Sequence, residues 1–121
     1  MNIALWICQV VLAGLFAASG YAKSTMSRER MAATGQTGPA LLPLPVVRFT
    51  ALMELLAAIG LILPQATGIL PDLTPAAALG LCAVMIGAAT AHVRLHEPQN
   101  VAINAVLFAL CVFVAAGRLL G

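Results

Sequence analysis

The sequence predicts an all-α integral membrane protein built as an antiparallel four-helix bundle. Its 121 residues are 62% hydrophobic and only 8% charged, whereas a soluble domain carries about 25% charged residues. Four apolar runs approach or reach the ~20 residues that cross a bilayer. Short connections favour antiparallel neighbours. The chain is therefore predicted to be a single transmembrane domain, residues 1–121, with spans at about 2–22, 46–63, 75–92 and 101–117.

The first span is predicted to be retained rather than cleaved. A signal peptide is the alternative, because residues 17–20 are small enough for a cleavage site. However, no Lys or Arg precedes the run, and the run exceeds a usual signal core of roughly 7–15 residues. Gly14, Ala18 and Ala22 recur every four residues, a spacing that favours close approach of another helix.

The first connection, residues 23–45, is the longest. Residues 27–33 could form a short interfacial helix, whereas the glycines and prolines after Thr34 disfavour one. Residues 40–45 are apolar but interrupted by proline, which predicts a position at the membrane surface or slight re-entry. Two interpretations stay open: an ordinary surface loop, or a cover over a site.

Prolines and a glycine in the middle of the chain mark the end of the second span and the start of the third. Pro64 is expected to end the second span, and the Gly- and Pro-rich residues after it predict a tight turn. Thr74 is then predicted as the N-cap of the third span, with Pro75 in the first helical position.

A stripe of small residues runs along the third span and indicates close helix packing by dispersion. Its partner is either a helix of the same bundle or a second subunit, and the pattern does not distinguish these. The stripe comprises Ala76, Gly80, Ala83, Gly87 and Ala91.

The basic residues predict the orientation. A polar turn at 93–100 separates the third span from the fourth, which ends near Arg118. The first and third connections share a side, and the positive-inside rule places them in the cytoplasm and both termini outside, in a multi-pass protein of the cell's inner membrane. The basic residues on that side are Lys23, Arg28, Arg30, Arg94 and, at the border, Arg48.

Glu54 is the residue that most needs explanation, because a carboxylate inside an apolar run is costly unless it is paired. Arg48 lies six residues earlier, on a different helical face, so Lys23 or His92 is the better expected partner. The opposite half of each helix is expected to be almost wholly apolar. All four spans thus deliver polar groups to one side: Tyr21, Lys23, Arg48, Glu54, His92, Arg94 and Asn104.

Several functions are disfavoured by what the chain contains. Cys8, Cys82 and Cys111 form no CxxC pair and each lies in an apolar run, so they are predicted to be small packing residues rather than a thiol relay. A metal site is improbable, because Glu54 is accompanied by only one or two histidines and by no ligand motif. A net charge of +2 is too small to indicate nucleic acid.

The sequence resembles the DoxX-like membrane proteins in four segments, at residues 14–23, 48–64, 71–78 and 91–97. It departs at Thr50 and Ala51, where a glycine is common in that family. The resemblance implies a small four-helix membrane protein, in a family that includes subunits linked to thiosulfate:quinone oxidoreduction and to membrane oxidoreductase complexes. The matching polar positions are Lys23, Arg48, Glu54, His92 and Arg94.

The leading hypothesis is a pocket in one leaflet that binds a small amphipathic molecule, with a quinone as the first candidate. Glu54 and His92 would be polar contacts or proton carriers. No covalently bound cofactor is expected, so redox activity would need a membrane oxidoreductase partner, and a self-sufficient enzyme is not expected. One alternative is an assembly or scaffold subunit that docks through the small-residue stripe. An oligomeric transporter is weaker, because no broken-helix pair is visible.

Overall fold

The computed structural model describes residues 2–33 and 43–120, and helices make up most of them. The predicted Gly- and Pro-rich stretch of the first connection, with its suggested cover over a site, falls largely outside these residues. The helix predicted within 27–33 is present as α2. The helices are α1 (Asn2–Thr25), α2 (Arg28–Ala33), α3 (Leu44–Thr67), α4 (Leu73–Arg94) and α5 (Pro98–Leu120).

Four of these helices, α1, α3, α4 and α5, are long and apolar enough to cross a bilayer. Helix α1 packs on α3 and α5, and α4 packs on the same two helices, so α1 lies diagonally across from α4. Neighbours run antiparallel, as the short turns between α3, α4 and α5 require. The predicted fold, an antiparallel four-helix bundle of the membrane type, is confirmed.

Pro64 lies inside α3, so the prediction that it ends the second span is wrong. The helix continues to Thr67 and ends at Gly68, whose φ of 72° is the left-handed conformation typical of a helix end. A proline cannot donate to the carbonyl four residues earlier. Here that carbonyl, of Gly60, accepts a hydrogen bond from Thr74 Oγ1 at 2.9 Å.

Thr74 is consequently not an N-cap. Helix α4 begins one residue earlier, at Leu73, with Asp72 in the cap position. The Thr74 side chain is fully buried and points across to α3. The threonine therefore satisfies the break that proline makes in its neighbour, which is how membrane helices tolerate proline.

The bundle interior is a single apolar core to which all four long helices contribute. The outer surface carries many exposed large hydrophobic side chains, as expected where lipid is the solvent. The core comprises Leu12, Phe16, Leu61, Ala78, Leu81, Cys82, Met85, Cys111, Val114 and Ala115.

The close helix contacts use other small residues than the sequence indicated. A Cβ on Gly20 would lie 2.9 Å from the Ala51 carbonyl oxygen, and one on Gly60 would lie 3.0 Å from Ala77 Cβ. Of the predicted packing residues, Ala22 and Ala91 are buried, whereas a Cβ on Gly14, Gly80 or Gly87 would meet nothing within 4 Å. Packing against a second subunit stays a prediction for the exposed ones, which are Gly14, Ala18, Ala76, Gly80, Ala83 and Gly87.

Candidate functional site: a polar cluster at one end of the bundle

An ion pair between α1 and α3 lies at the centre of the site. Lys23 Nζ donates to Glu54 Oε1 at 2.8 Å; the Glu54 side chain is fully buried and that of Lys23 is 14% exposed. Glu54 lies about 15 Å along α3 from the helix start. Of the two partners predicted for Glu54, Lys23 is therefore confirmed.

The local sequence explains why this pair forms. Gly20 brings α1 against α3 at Ala51 and Leu55, the positions that flank Glu54 by three residues and by one. Lys23 follows Gly20 by about one turn, so its side chain reaches the carboxylate. The glycine that allows this close approach is on α1.

Arg48 holds the end of α1 in place. Its guanidinium donates to the Lys23 carbonyl and, at 3.1 Å, to the Met26 carbonyl. Lys23 lies in the last turn of α1 and Met26 directly follows the helix, so these carbonyls receive no N–H from a further turn of α1. Arg48 is therefore directed at the α1 terminus and positions the segment that carries Lys23, in agreement with its different helical face from Glu54.

His92 pairs with Glu97 and not with Glu54, so of the two alternative partners predicted for Glu54 it is the one that the structure does not show. The His92 Nδ1 atom lies 2.8 Å from Glu97 Oε1, and both side chains are partly exposed. Glu97 comes from the short turn between α4 and α5, which folds back over the end of α4. The pair sits at the same end of the bundle as Glu54, but at its rim.

Two buried polar atoms at this end have no hydrogen-bond partner among the described residues: Glu54 Oε2 and Asn104 Nδ2. Asn104 is 8% exposed and lies on α5, diagonally across the bundle from α3. One atom is an acceptor and the other a donor. Leaving such a group unsatisfied costs about 1–3 kcal/mol, so each of the two atoms is available to a further polar partner.

Tyr21 and Arg94 do not join the cluster. Tyr21 is 64% exposed, and Arg94 is also exposed. Both lie near helix ends, where amphipathic and basic side chains reach toward the membrane–water interface. Their predicted roles as donors to Glu54 are not supported by this geometry.

A second polar network lies at the opposite end, where the sequence predicted almost wholly apolar surfaces. Gln9 is fully buried; its Nε2 donates to the Leu61 carbonyl at 2.6 Å and its Oε1 accepts from Arg118 Nε at 2.7 Å. Arg118 also donates to Asn2 Oδ1 at 2.7 Å and stacks over Trp6, 5.4 Å from the ring centroid. The expectation of apolarity was wrong.

One signal in the sequence could have identified Gln9. Leu5, Leu12 and Phe16 are buried, and Gln9 continues their spacing on the same face of α1. The contact with Leu61 falls one residue after Gly60, so Gln9 and Thr74 both serve α3 carbonyls beside Pro64. This network therefore stabilises the interrupted helix.

The fold and the site together define a small multi-pass helical membrane protein with a charged pair buried at one end. The family model of the DoxX-like family matches residues 7–114. The chain belongs to that family, as the resemblance indicated. No curated protein and no solved structure matches it.

Proposed function

We propose that the protein binds a small amphipathic molecule within the bilayer, with a quinone as the first candidate, at the cluster formed by Lys23, Glu54 and Asn104. The observation that carries the proposal is that two of the three unsatisfied buried side-chain atoms in the described part of the chain, Glu54 Oε2 and Asn104 Nδ2, lie at this end of the bundle. A quinone offers carbonyl acceptors and its reduced form offers hydroxyl donors, both on an apolar ring. An acceptor and a donor from opposite helices suit such a molecule.

The ion pair suits a polar contact that also exchanges protons. Lys23 engages Oε1, while Oε2 is left to accept a hydrogen bond. A carboxylate so placed can accept a hydroxyl proton from the reduced ligand. The partly exposed His92–Glu97 pair at the rim can exchange protons with water.

Ligand entry must part the helices. Glu54 is fully buried, and beside it Gly20 of α1 lies close against α3 at Ala51 and Leu55. A lipid-soluble ligand would reach the cluster sideways through the bilayer rather than through an open aqueous mouth. The apolar residues around the cluster then exclude water and strengthen each polar contact.

The proposed context is a membrane redox system. The protein would act together with a membrane oxidoreductase or through a diffusible quinone, rather than as a self-sufficient enzyme. We place it in the cell's inner membrane. The end of the bundle that carries the α1–α3 and α4–α5 connections would lie in the cytoplasm. That orientation rests on Lys23, Arg30 and Arg94 at this end against Arg118 at the other.

Binding by the protein in lipid nanodiscs tests the proposal. A short-chain ubiquinone analogue is titrated against the wild type, Glu54→Gln and Asn104→Leu. Each variant should weaken binding by roughly tenfold, the factor for about 1.4 kcal/mol. Tyr21→Phe, at an exposed site, is the matched control and should bind as the wild type does.

Folding is followed in parallel by helix content and thermal unfolding. The proposal fails if Glu54→Gln and Asn104→Leu bind the quinone as tightly as the wild type. It also fails if their loss of binding only accompanies loss of helix.

A scaffold role is the second candidate, and one observation favours it. The small residues at 76, 80, 83 and 87 are exposed, and two of them, Ala76 and Gly80, line an apolar groove of about 440 Å³ between α3 and α4. A second membrane helix could approach closely there. Dissociation of a native complex by Gly87→Leu, with quinone binding unchanged, would support this role.

A further inference from the structure

Two thiols that lie far apart in the sequence meet in the centre of the core. Cys82 on α4 and Cys111 on α5 belong to the same core cluster, on two helices that pack against each other, and their thiols are close enough to interact. Cys82 is 7% exposed and Cys111 is fully buried. Both lie about 14 Å from the helix ends that face the α3–α4 turn, so they sit deep in the bilayer. The sequence treated them as unrelated packing residues.

The surroundings favour a pair of thiols rather than a metal site. Cys8 packs against the same core cluster. Yet, within the residues that the structure describes, no three or more His, Cys, Asp or Glu side chains are grouped so as to hold a metal ion. The chemistry open to two neighbouring thiols is oxidation to a disulfide.

We propose that Cys82 and Cys111 form a dithiol–disulfide couple that is oxidised by a quinone dissolved in the bilayer. Both S–H bonds break and one S–S bond forms between Sγ atoms. The two electrons and two protons pass to the quinone, whose carbonyl oxygens become the hydroxyls of the hydroquinone. In the reverse reaction, the hydroquinone returns two electrons and two protons to the disulfide and regenerates the two thiols.

The dry surroundings select this type of oxidant. Both thiols are buried in the core of the bundle and are therefore out of reach of water-soluble oxidants, whereas a quinone dissolves in the bilayer. Transfer of two hydrogen equivalents to a quinone leaves no net charge in the core, which avoids the cost of burying an ion. The disulfide would link α4 to α5, the two helices that are joined by the turn containing Glu97.

The inference shares the quinone of the proposed function but concerns different residues. The test uses purified protein in nanodiscs, reduced and then freed of reductant under anaerobic conditions. A fully substituted quinone is added, because it does not form stable adducts with thiols. The protein is then denatured, labelled with a thiol-specific mass tag and counted by intact mass, while hydroquinone is measured by absorbance.

The wild type, which has three cysteines, should fall from three tags to one and release one hydroquinone per chain. Cys8→Ala should fall from two tags to none. Cys82→Ala and Cys111→Ala should each keep both remaining tags and release no hydroquinone. Alanine is chosen because it leaves no unpaired polar group in the core.

Two outcomes separate this inference from the proposed function. If the wild type binds quinone but keeps three tags, the couple does not exist and the binding proposal stands. If Glu54→Gln binds quinone like the wild type while the tags still fall from three to one, the couple stands and the proposed site is wrong. Equal tag loss in Cys82→Ala, or a disulfide between two chains, would also overturn the couple.

Discussion

Lys23 Nζ lies 2.8 Å from Glu54 Oε1, and this ion pair joins α1 to α3 around a fully buried carboxylate. The bundle positions it by two devices: Gly20 brings the two helices together, and Arg48 holds the end of α1. The pair leaves Glu54 Oε2 unsatisfied within the described residues. It therefore both stabilises the bundle and defines the candidate site.

Removing the lysine should be far more damaging than removing the pair. Lys23→Met leaves a buried carboxylate uncompensated and should lower the free energy of unfolding by about 3–5 kcal/mol. The double variant Lys23→Met with Glu54→Gln should recover much of that loss. Reversible unfolding in mixed micelles measures both. Arg94→Met, at an exposed position, is the control and should change stability by less than about 0.5 kcal/mol; equal effects of Lys23→Met and Arg94→Met would contradict the role of the pair.

Gly20 and Gly14 make a matched pair for the packing argument. A Cβ on Gly20 would meet the Ala51 carbonyl oxygen at 2.9 Å, whereas one on Gly14 meets nothing within 4 Å. Gly20→Ala should destabilise the bundle by about 1–3 kcal/mol, because a backbone oxygen cannot rotate away. Gly14→Ala should be neutral or stabilising. The same unfolding assay compares them, and equal values would show that α1 and α3 are not in close contact at Gly20.

Gln9 should stabilise the folded bundle through its hydrogen bonds, although it lies within an apolar run of the sequence. Gln9→Leu removes the donor to the Leu61 carbonyl and the acceptor for Arg118. Unfolding free energy should fall by about 1–3 kcal/mol. Gln99→Leu, at an exposed position of α5, should have little effect. If the two leucine variants unfold alike, the network is not formed in the folded protein.

Thr74 and Pro64 should be energetically coupled. In the wild type, Thr74→Val leaves the Gly60 carbonyl without its hydrogen-bond donor. In a Pro64→Ala background the restored backbone N–H can donate to that carbonyl instead, so the same Thr74 substitution should cost about 1 kcal/mol less. A double-mutant cycle measures the difference, and additive effects would show that threonine does not serve the proline break.

The sequence predicts the four helices, the polar end of the bundle and Lys23 as one of two alternative partners of Glu54, because these follow from apolar length and from depth along each helix. It does not predict which faces meet. Each span is apolar around most of its circumference, so hydrophobic periodicity does not fix helix rotation. Gly14, Gly80 and Gly87 therefore appeared suited to packing, although the bundle uses Gly20 and Gly60.

Contacts between distant positions escaped prediction for the same reason. Arg118 meets Gln9 across most of the chain, and Cys82 meets Cys111 across two helices. Both depend on the register of antiparallel neighbours. Pro64 was misjudged because the proline rule considers one helix alone, whereas Thr74 of the next helix satisfies the carbonyl that proline leaves free.

The most direct test of the central claim is a solid-state NMR measurement of the protein in lipid with a ¹³C-carbonyl-labelled quinone. If the quinone binds at this site, a dipolar contact should appear between the quinone carbonyl and the Asn104 side-chain nitrogen, together with a chemical-shift change at the Glu54 carboxyl carbon. Both should disappear in Asn104→Leu. A quinone that shows contacts only with lipid chains and with outward-facing residues such as Tyr21 would contradict it.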